Sequence, residues 1–206
     1  MPEPLPADPS ELPADPFDLL RSWLAEAEGQ GMRDPGAMAL ATAGADGQPS
    51  ARMVLLRGLD ERGLRFHTNR GSLKGRQLAE NPRAQLLFYW RELGRQILVH
   101  GDVSELGDEE SDAYFATRER GARLGAWASD QGSVIERRQE LLDGWAAADA
   151  RFPGEDIPRP DYWGGYLVIP RAIEFWQAHE LRLHDRYVYV REAASSTTWR
   201  IERLAP

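Results

Sequence analysis

The chain has 206 residues, with 25 Lys plus Arg against 33 Asp plus Glu, and a net charge of −8. That length suits one domain with a buried core, and the acidic balance argues against a general nucleic-acid or anionic-membrane binder. The absence of cysteine excludes disulfides, thiolate metal sites and thiol catalysis, and no apolar run approaches the roughly 18 residues that span a bilayer.

Residues 1–15 carry Pro2, Pro4, Pro6, Pro9 and Pro13 with little apolar bulk, so a disordered or loosely docked arm is expected, ahead of a domain over 16–206. The arm has no basic stretch followed by an apolar one, so it does not read as a signal peptide, and a cytoplasmic location is expected. Asp15-Pro16 is a helix start, and Phe17, Leu20, Trp23 and Leu24 recur at helical spacing up to Gly29 and Gly31. Ala37 to Thr42 and Ser50 to Gly58 read as strands joined at Asp46-Gly47, followed by a turn and a strand over Leu64 to Thr68. Ser72 caps a short predicted helix that stops before Asn81-Pro82.

Gln85 to Trp90 and Gln96 to Val103 read as further strands, the first apolar enough to suggest burial on both faces. Helical segments follow over Asp108 to Thr117 and Ser133 to Ala150. Beyond the prolines at 153–160 comes a meander: Gly165 to Ile169, a turn at Pro170, Ala172 to Trp176, Arg186 to Val190 and Trp199 to Arg203. Six or seven short strands with a few helices imply an antiparallel barrel of mainly β or α+β class.

No GxSxG, P-loop, HExxH or GxGxxG is present, and His67, His100, His179 and His184 lack metal-ligand spacing. Polar residues inside strands draw notice instead. Arg52 and Arg57 bracket an apolar run and fall on opposite faces of an ideal strand, which suits two separate sites or plain solvent exposure. Thr68 to Lys74 runs from a strand through a glycine turn into a helix capped by Ser72. The free N–H groups, hydroxyl and ammonium there make a phosphate cradle plausible, although capped helices with a nearby lysine are common. Tyr114 and Arg118 share a helix face, as an anion site or a surface stacking pair. Arg182, His184 and Arg186 alternate, so an extended chain would line them along one face and call for an anionic ligand or carboxylates from elsewhere in the fold, with Trp176 near.

Together these blocks resemble the pyridoxamine/pyridoxine 5′-phosphate oxidase family of FMN-dependent flavoproteins. The matching segments are RMVLLR (52–57), FHTNRGSLKG (66–75), NPRAQLLFYW (81–90), RQILVHG (95–101), YFATRERGARLGAWASDQ (114–131), PRPDYWGGY (158–166), EFWQ (174–177), and RLHDR with a terminal RLAP. They keep the family's order from about residue 17 to the end. The resemblance implies an FMN-binding split β-barrel with peripheral helices, paired as a homodimer with FMN at the interface. It assigns Arg52, Met53, Val54, Leu55, His67, Thr68, Lys74, Gln96, Gln131, Trp176 and Arg186 to FMN, with Arg52 and Lys74 at its phosphate. Arg57, Tyr114 and Arg118 would take the substrate phosphate, while Arg182 and His184 would lie over the reacting carbon.

The implied reaction oxidises pyridoxamine 5′-phosphate or pyridoxine 5′-phosphate to pyridoxal 5′-phosphate, with O₂ reduced to H₂O₂. The chain departs from the family pattern at Arg57 (usually Lys), His67 (Tyr), Leu73 (Arg), Ala122 (Ser) and Gly132 (Ser). Arg57 and Ala122 motivate an alternative, an oxidase of dihydrophenazine-type substrates in secondary metabolism. A non-catalytic flavin or pyridoxal-phosphate carrier is a third reading, against which Arg182 and His184 speak.

Overall fold

The computed structural model describes residues 4–191 and 196–206. The first helix, α1 (Pro16–Gly29), begins as its cap predicts: the Asp15 carboxylate accepts from Phe17 N–H at 2.9 Å. It buries Phe17, Leu20, Trp23 and Ala27, and the Trp23 ring meets Phe175 edge-on at 5.3 Å.

A single antiparallel sheet follows, with nine strands among the described residues. The strands are β1 (Ala37–Ala43), β2 (Pro49–Leu55), β3 (Gly58–Asp60), β4 (Gly63–Asn69), β5 (Arg83–Trp90), β6 (Arg95–Glu105), β7 (Trp163–Gln177), β8 (Asp185–Arg191) and β9 (Trp199–Arg203). Their order is β2-β1-β5-β6-β7-β4-β3, with β8 joining β7 and β9 joining β8. Met38, Leu40, Phe66, Phe88, Ile97, Val99, Ile173 and Phe175 face inward and form the main core. The remaining helices are α2 (Leu73–Glu80), α3 (Asp108–Ala116), α4 (Arg120–Ala128) and α5 (Arg138–Arg151). A second, smaller core of Phe115, Leu124, Ala148, Ile157 and Trp163 attaches the last three to the head of β7.

Several expectations are corrected. The predicted strand over 50–58 ends at Leu55; Leu56 N–H turns to the Gly36 carbonyl, and Gly58 opens a separate hairpin with β4. The 85–90 segment is not buried on both faces: β5 alternates, leaving Tyr89 exposed beside buried Phe88 and Trp90. Pro170 makes no turn. Residues 163–177 form one strand, and its ladder with β6 shifts register at His100/Gly101, where Arg171 is the unpaired extra residue of a bulge. Tyr166 and Val168 face the core before the bulge, Ile173 and Phe175 after it. Helix α5 starts at Arg138 rather than Ser133, and α4 was not expected at all.

The N-terminal arm packs against the barrel over its described residues. Leu5 and Leu12 are buried, and Leu5 N–H donates to Gln177 Oε1 at 3.0 Å. The Tyr187 hydroxyl donates to the Pro6 carbonyl at 2.7 Å and that of Tyr189 to Pro13 at 2.9 Å.

Candidate active site

A cavity of about 890 Å³ lies among β2, the end of β4, the start of α2 and the α3–α4 region. That size suits a cofactor with a substrate. Arg52, Met53, Val54, Leu55, Arg57, His67, Thr68, Lys74, Tyr114, Arg118 and Gln131 all line it.

One cationic group gathers where β4 hands over to α2. Ser72 caps α2, its hydroxyl accepting from Gly75 N–H at 3.5 Å. A side chain at position 75 would collide with the Arg70 carbonyl, so glycine lets the turn close tightly under the helix start. Lys74, only 8% exposed, donates to Ser72 Oγ (3.0 Å), Thr68 Oγ1 (3.1 Å) and Gln131 Oε1 (3.2 Å). Burial, with the charge of Arg52 added, pushes the Lys74 ammonium down to about 8. Arg52 likewise donates to neutral acceptors: Thr42 Oγ1 at 2.6 Å, the Leu40 carbonyl at 3.2 Å, Gln77 Oε1 at 3.4 Å, and Ser50 Oγ.

A second group sits on the α3 side. The imidazole of His67 stacks on Tyr114 at 4.0 Å and on Trp163 at 5.3 Å. The Arg118 guanidinium lies 4.8 Å from the Trp163 ring. Helix α3 ends at Ala116, so Arg118 stands just past it rather than on its face, yet Tyr114 and Arg118 still line the same cavity. Arg57 joins them, because the end of β2 at Leu55 breaks the alternation that would have put it opposite Arg52. Both ring nitrogens of His67, and Nη1 of Arg118, are buried without a hydrogen-bond partner among the described residues. Burial first, then the charges of Arg65, Arg118 and Arg57, hold His67 down to about 4, so its ring is neutral near pH 7. Arg52, Arg57, Lys74 and Arg118 form no ion pair among the described residues, whereas Arg62, Arg65, Arg70 and Arg159 are matched to carboxylates. Unmatched cations of this kind, with Lys74 buried, Arg52 and Arg118 part-buried and Arg57 exposed at the mouth, fit a phosphorylated ligand.

The other expected residues form a separate group that does not line this cavity. Gln96, Trp176 and Arg186 stand in register across β6, β7 and β8, and His184 lies 4.7 Å from the Trp176 ring. Arg182 does not alternate with them: the chain makes a 3₁₀ turn over Glu180–Arg182, with left-handed φ of 56° at Leu181 and 62° at Arg182. Arg186 is matched within the fold, donating to Glu174 Oε1 at 2.8 Å and to the Ala205 carbonyl at 3.1 Å, so a carboxylate answers its charge. Trp163 and Ser50 also line the cavity and were not singled out from the sequence. For Trp163 the available signal was Gly164-Gly165, whose bare backbone makes room for Arg70 and His67.

Residues 24–143 match the family model described as pyridoxamine 5′-phosphate oxidase, and residues 163–206 that of the pyridoxine 5′-phosphate oxidase C-terminal dimerisation region. Proteins named pyridoxine/pyridoxamine 5′-phosphate oxidase from Burkholderia thailandensis and Burkholderia pseudomallei are each 51% identical over 199 residues, covering 97% of this chain and 92% of theirs. The crystal structure of PhzG from Burkholderia lata in complex with tetrahydrophenazine-1-carboxylic acid is similar at a TM-score of 0.91 and 36% identity, over 99% of this chain and 98% of that one. A pyridoxamine 5′-phosphate oxidase-related, FMN binding protein from Nostoc punctiforme shares the fold at a TM-score of 0.74 and 19% identity, over 95% of this chain and all of that one. The chain belongs to the pyridoxamine 5′-phosphate oxidase family.

Proposed function

We propose that this protein is a homodimeric, FMN-dependent oxidase that converts pyridoxamine 5′-phosphate or pyridoxine 5′-phosphate to pyridoxal 5′-phosphate. The observation that carries the reading is the pair of unmatched cationic groups in one cavity, Arg52 with Lys74 and Arg57 with Arg118. Two phosphates, one on the cofactor and one on the substrate, would answer both. FMN, when bound, supplies the two-electron acceptor that the side chains lack, and O₂ takes the electrons on to H₂O₂.

Arg52, Lys74, the Ser72 and Thr68 hydroxyls and the N–H groups opening α2 hold the cofactor phosphate. Met53, Val54 and Leu55 form the β2 wall, and Met53, 65% exposed, reaches to the rim. Gln131 ties the loop after α4 to Lys74 and Thr68. Tyr114, Arg118 and Arg57 take the substrate phosphate, beside the neutral ring of His67. Gln96, Trp176 and Arg186 complete the cofactor site from the second copy, which also brings Arg182 and His184 to the reacting carbon. With the amine, one O₂ and one water are consumed, the water supplying the aldehyde oxygen as the C–N bond breaks, and the products are pyridoxal 5′-phosphate, ammonia and H₂O₂.

Ala122, which lines the cavity without a hydroxyl, favours a second reading: oxidation of a reduced phenazine carboxylic acid. Oxygen consumption by the FMN-loaded protein decides between them. Turnover of either phosphorylated vitamer is expected, and oxygen uptake confined to the reduced phenazine would overturn the first reading.

A further inference from the structure

Arg159 lies in the segment between α5 and β7 and does not line the cavity. Its side chain is only 7% exposed, and all three of its donor nitrogens are engaged. Nε donates to Asp112 Oδ1 at 2.6 Å, Nη2 to Asp108 Oδ1 at 2.8 Å, and Nη1 to the Trp163 carbonyl at 2.6 Å. Asp108 and Asp112 stand four residues apart on α3, so their side chains share one face of that helix. Two residues further on, the same helix bears Tyr114, and the chain that leaves it bears Arg118. Trp163, whose carbonyl receives the third bond, begins β7 and offers the ring over which Arg118 lies.

One buried cation thus joins the two pieces of backbone that present the substrate-phosphate group. Helix α3 needs such a tie. Its N-cap, Gly107, offers no side-chain cap, and only Ser111 and Phe115 of the helix are buried. The planar guanidinium suits three acceptors in a fixed fork, which an ammonium on a flexible stem cannot reproduce. It also offsets two carboxylates on a helix whose far end must receive an anion.

We propose that Arg159 is a positioning residue for the substrate phosphate, setting the spacing of Tyr114 and Arg118 across Trp163 without touching the ligand. The identity of that phosphate rests on the oxidase reading above. The test compares wild type with Arg159→Lys and Asp112→Asn, using pyridoxamine 5′-phosphate, unphosphorylated pyridoxamine, and calorimetric titration of the FMN-loaded proteins with inorganic phosphate. KM for the phosphorylated substrate and Kd for inorganic phosphate should rise about tenfold, equivalent to one charge-assisted contact weakened. The kcat, the bound flavin and kcat/KM for pyridoxamine should stay close to wild type.

Unchanged phosphate affinity in folded variants, or an equal loss with both substrates, would overturn the role. Arg159→Lys keeps the charge and Asp112→Asn keeps the guanidinium, so a folding defect in one leaves the other to decide. A wild type that oxidises neither vitamer would refute the oxidase reading, while the phosphate titration would still decide the positioning role.

Discussion

Lys74 is half-titrated near pH 8 because it is buried among hydroxyls and an amide with Arg52 close by. A phosphate dianion favours its charged form, so above that pH binding must take up a proton. FMN affinity, followed by quenching of flavin fluorescence, should therefore be level just below Lys74's pKa of about 8 and fall by up to about tenfold per pH unit above it. Lys74→Met should bind more weakly throughout and lack that slope; a slope retained in the variant would assign the titration to another group. Arg118 makes a different prediction, because its group is the one proposed for the substrate phosphate rather than the cofactor phosphate. Arg118→Ala should raise KM for pyridoxamine 5′-phosphate by roughly 10- to 100-fold, the range for losing a charged hydrogen bond, and hardly change it for pyridoxamine. Equal effects on both substrates would remove the assignment.

Among the elements, the docked arm carries the clearest stability prediction. Deleting residues 4–12 uncovers the sites of Leu5 and Leu12 and takes away the carbonyls that accept from Tyr187. The loss should be about 2–4 kcal/mol, lowering Tm by roughly 5–10 °C in a thermal melt, and an unchanged Tm would show the arm to be idle. The proline content hid this docking, since the partners that hold the arm lie some 170 to 180 residues away in sequence. Helix α1 and the first hairpin were legible because their signals are local: Asp15-Pro16 at the cap, and Asp46-Gly47 with φ of 74° at Gly47. Helix α4 was not, because Gly121 and Gly125 weaken its propensity. What secures it is tertiary: Arg120 reaches Asp149 and the Phe152 carbonyl, and Arg123 reaches Glu155. The cradle of Ser72 and Lys74 was legible for the same reason as α1. The supposed row of Arg182, His184 and Arg186 was not, since nothing local announces left-handed backbone at Leu181 and Arg182.

On the scale of the whole molecule, the residues assigned to one site fall into two groups that a single chain keeps apart. A dimer can bring the first group of one protomer to the second group of its partner, and subunit mixing tests this directly. A protomer carrying Arg52→Ala with Lys74→Ala and one carrying Arg186→Ala should each be inactive as a homodimer. Mixed, they form hybrids in which one of the two sites combines both intact groups, so activity should reappear; a mixture that stays inactive would mean that each chain builds its own site. The same long strand serves both groups, with Trp163 at its head and Trp176 near its end. Core-facing residues in it are even-numbered before Arg171 and odd-numbered after it, because the bulge adds one residue to the count. A loop absorbs an insertion or deletion locally, and in this strand the bulge is the place that can do the same. Losing Arg171, an exposed side chain, would leave Pro170 and Ala172 to pair in succession with Gly101 and His100, with Ile173, Phe175 and Trp176 on the faces they already occupy, so the position that tolerates almost any replacement tolerates removal as well.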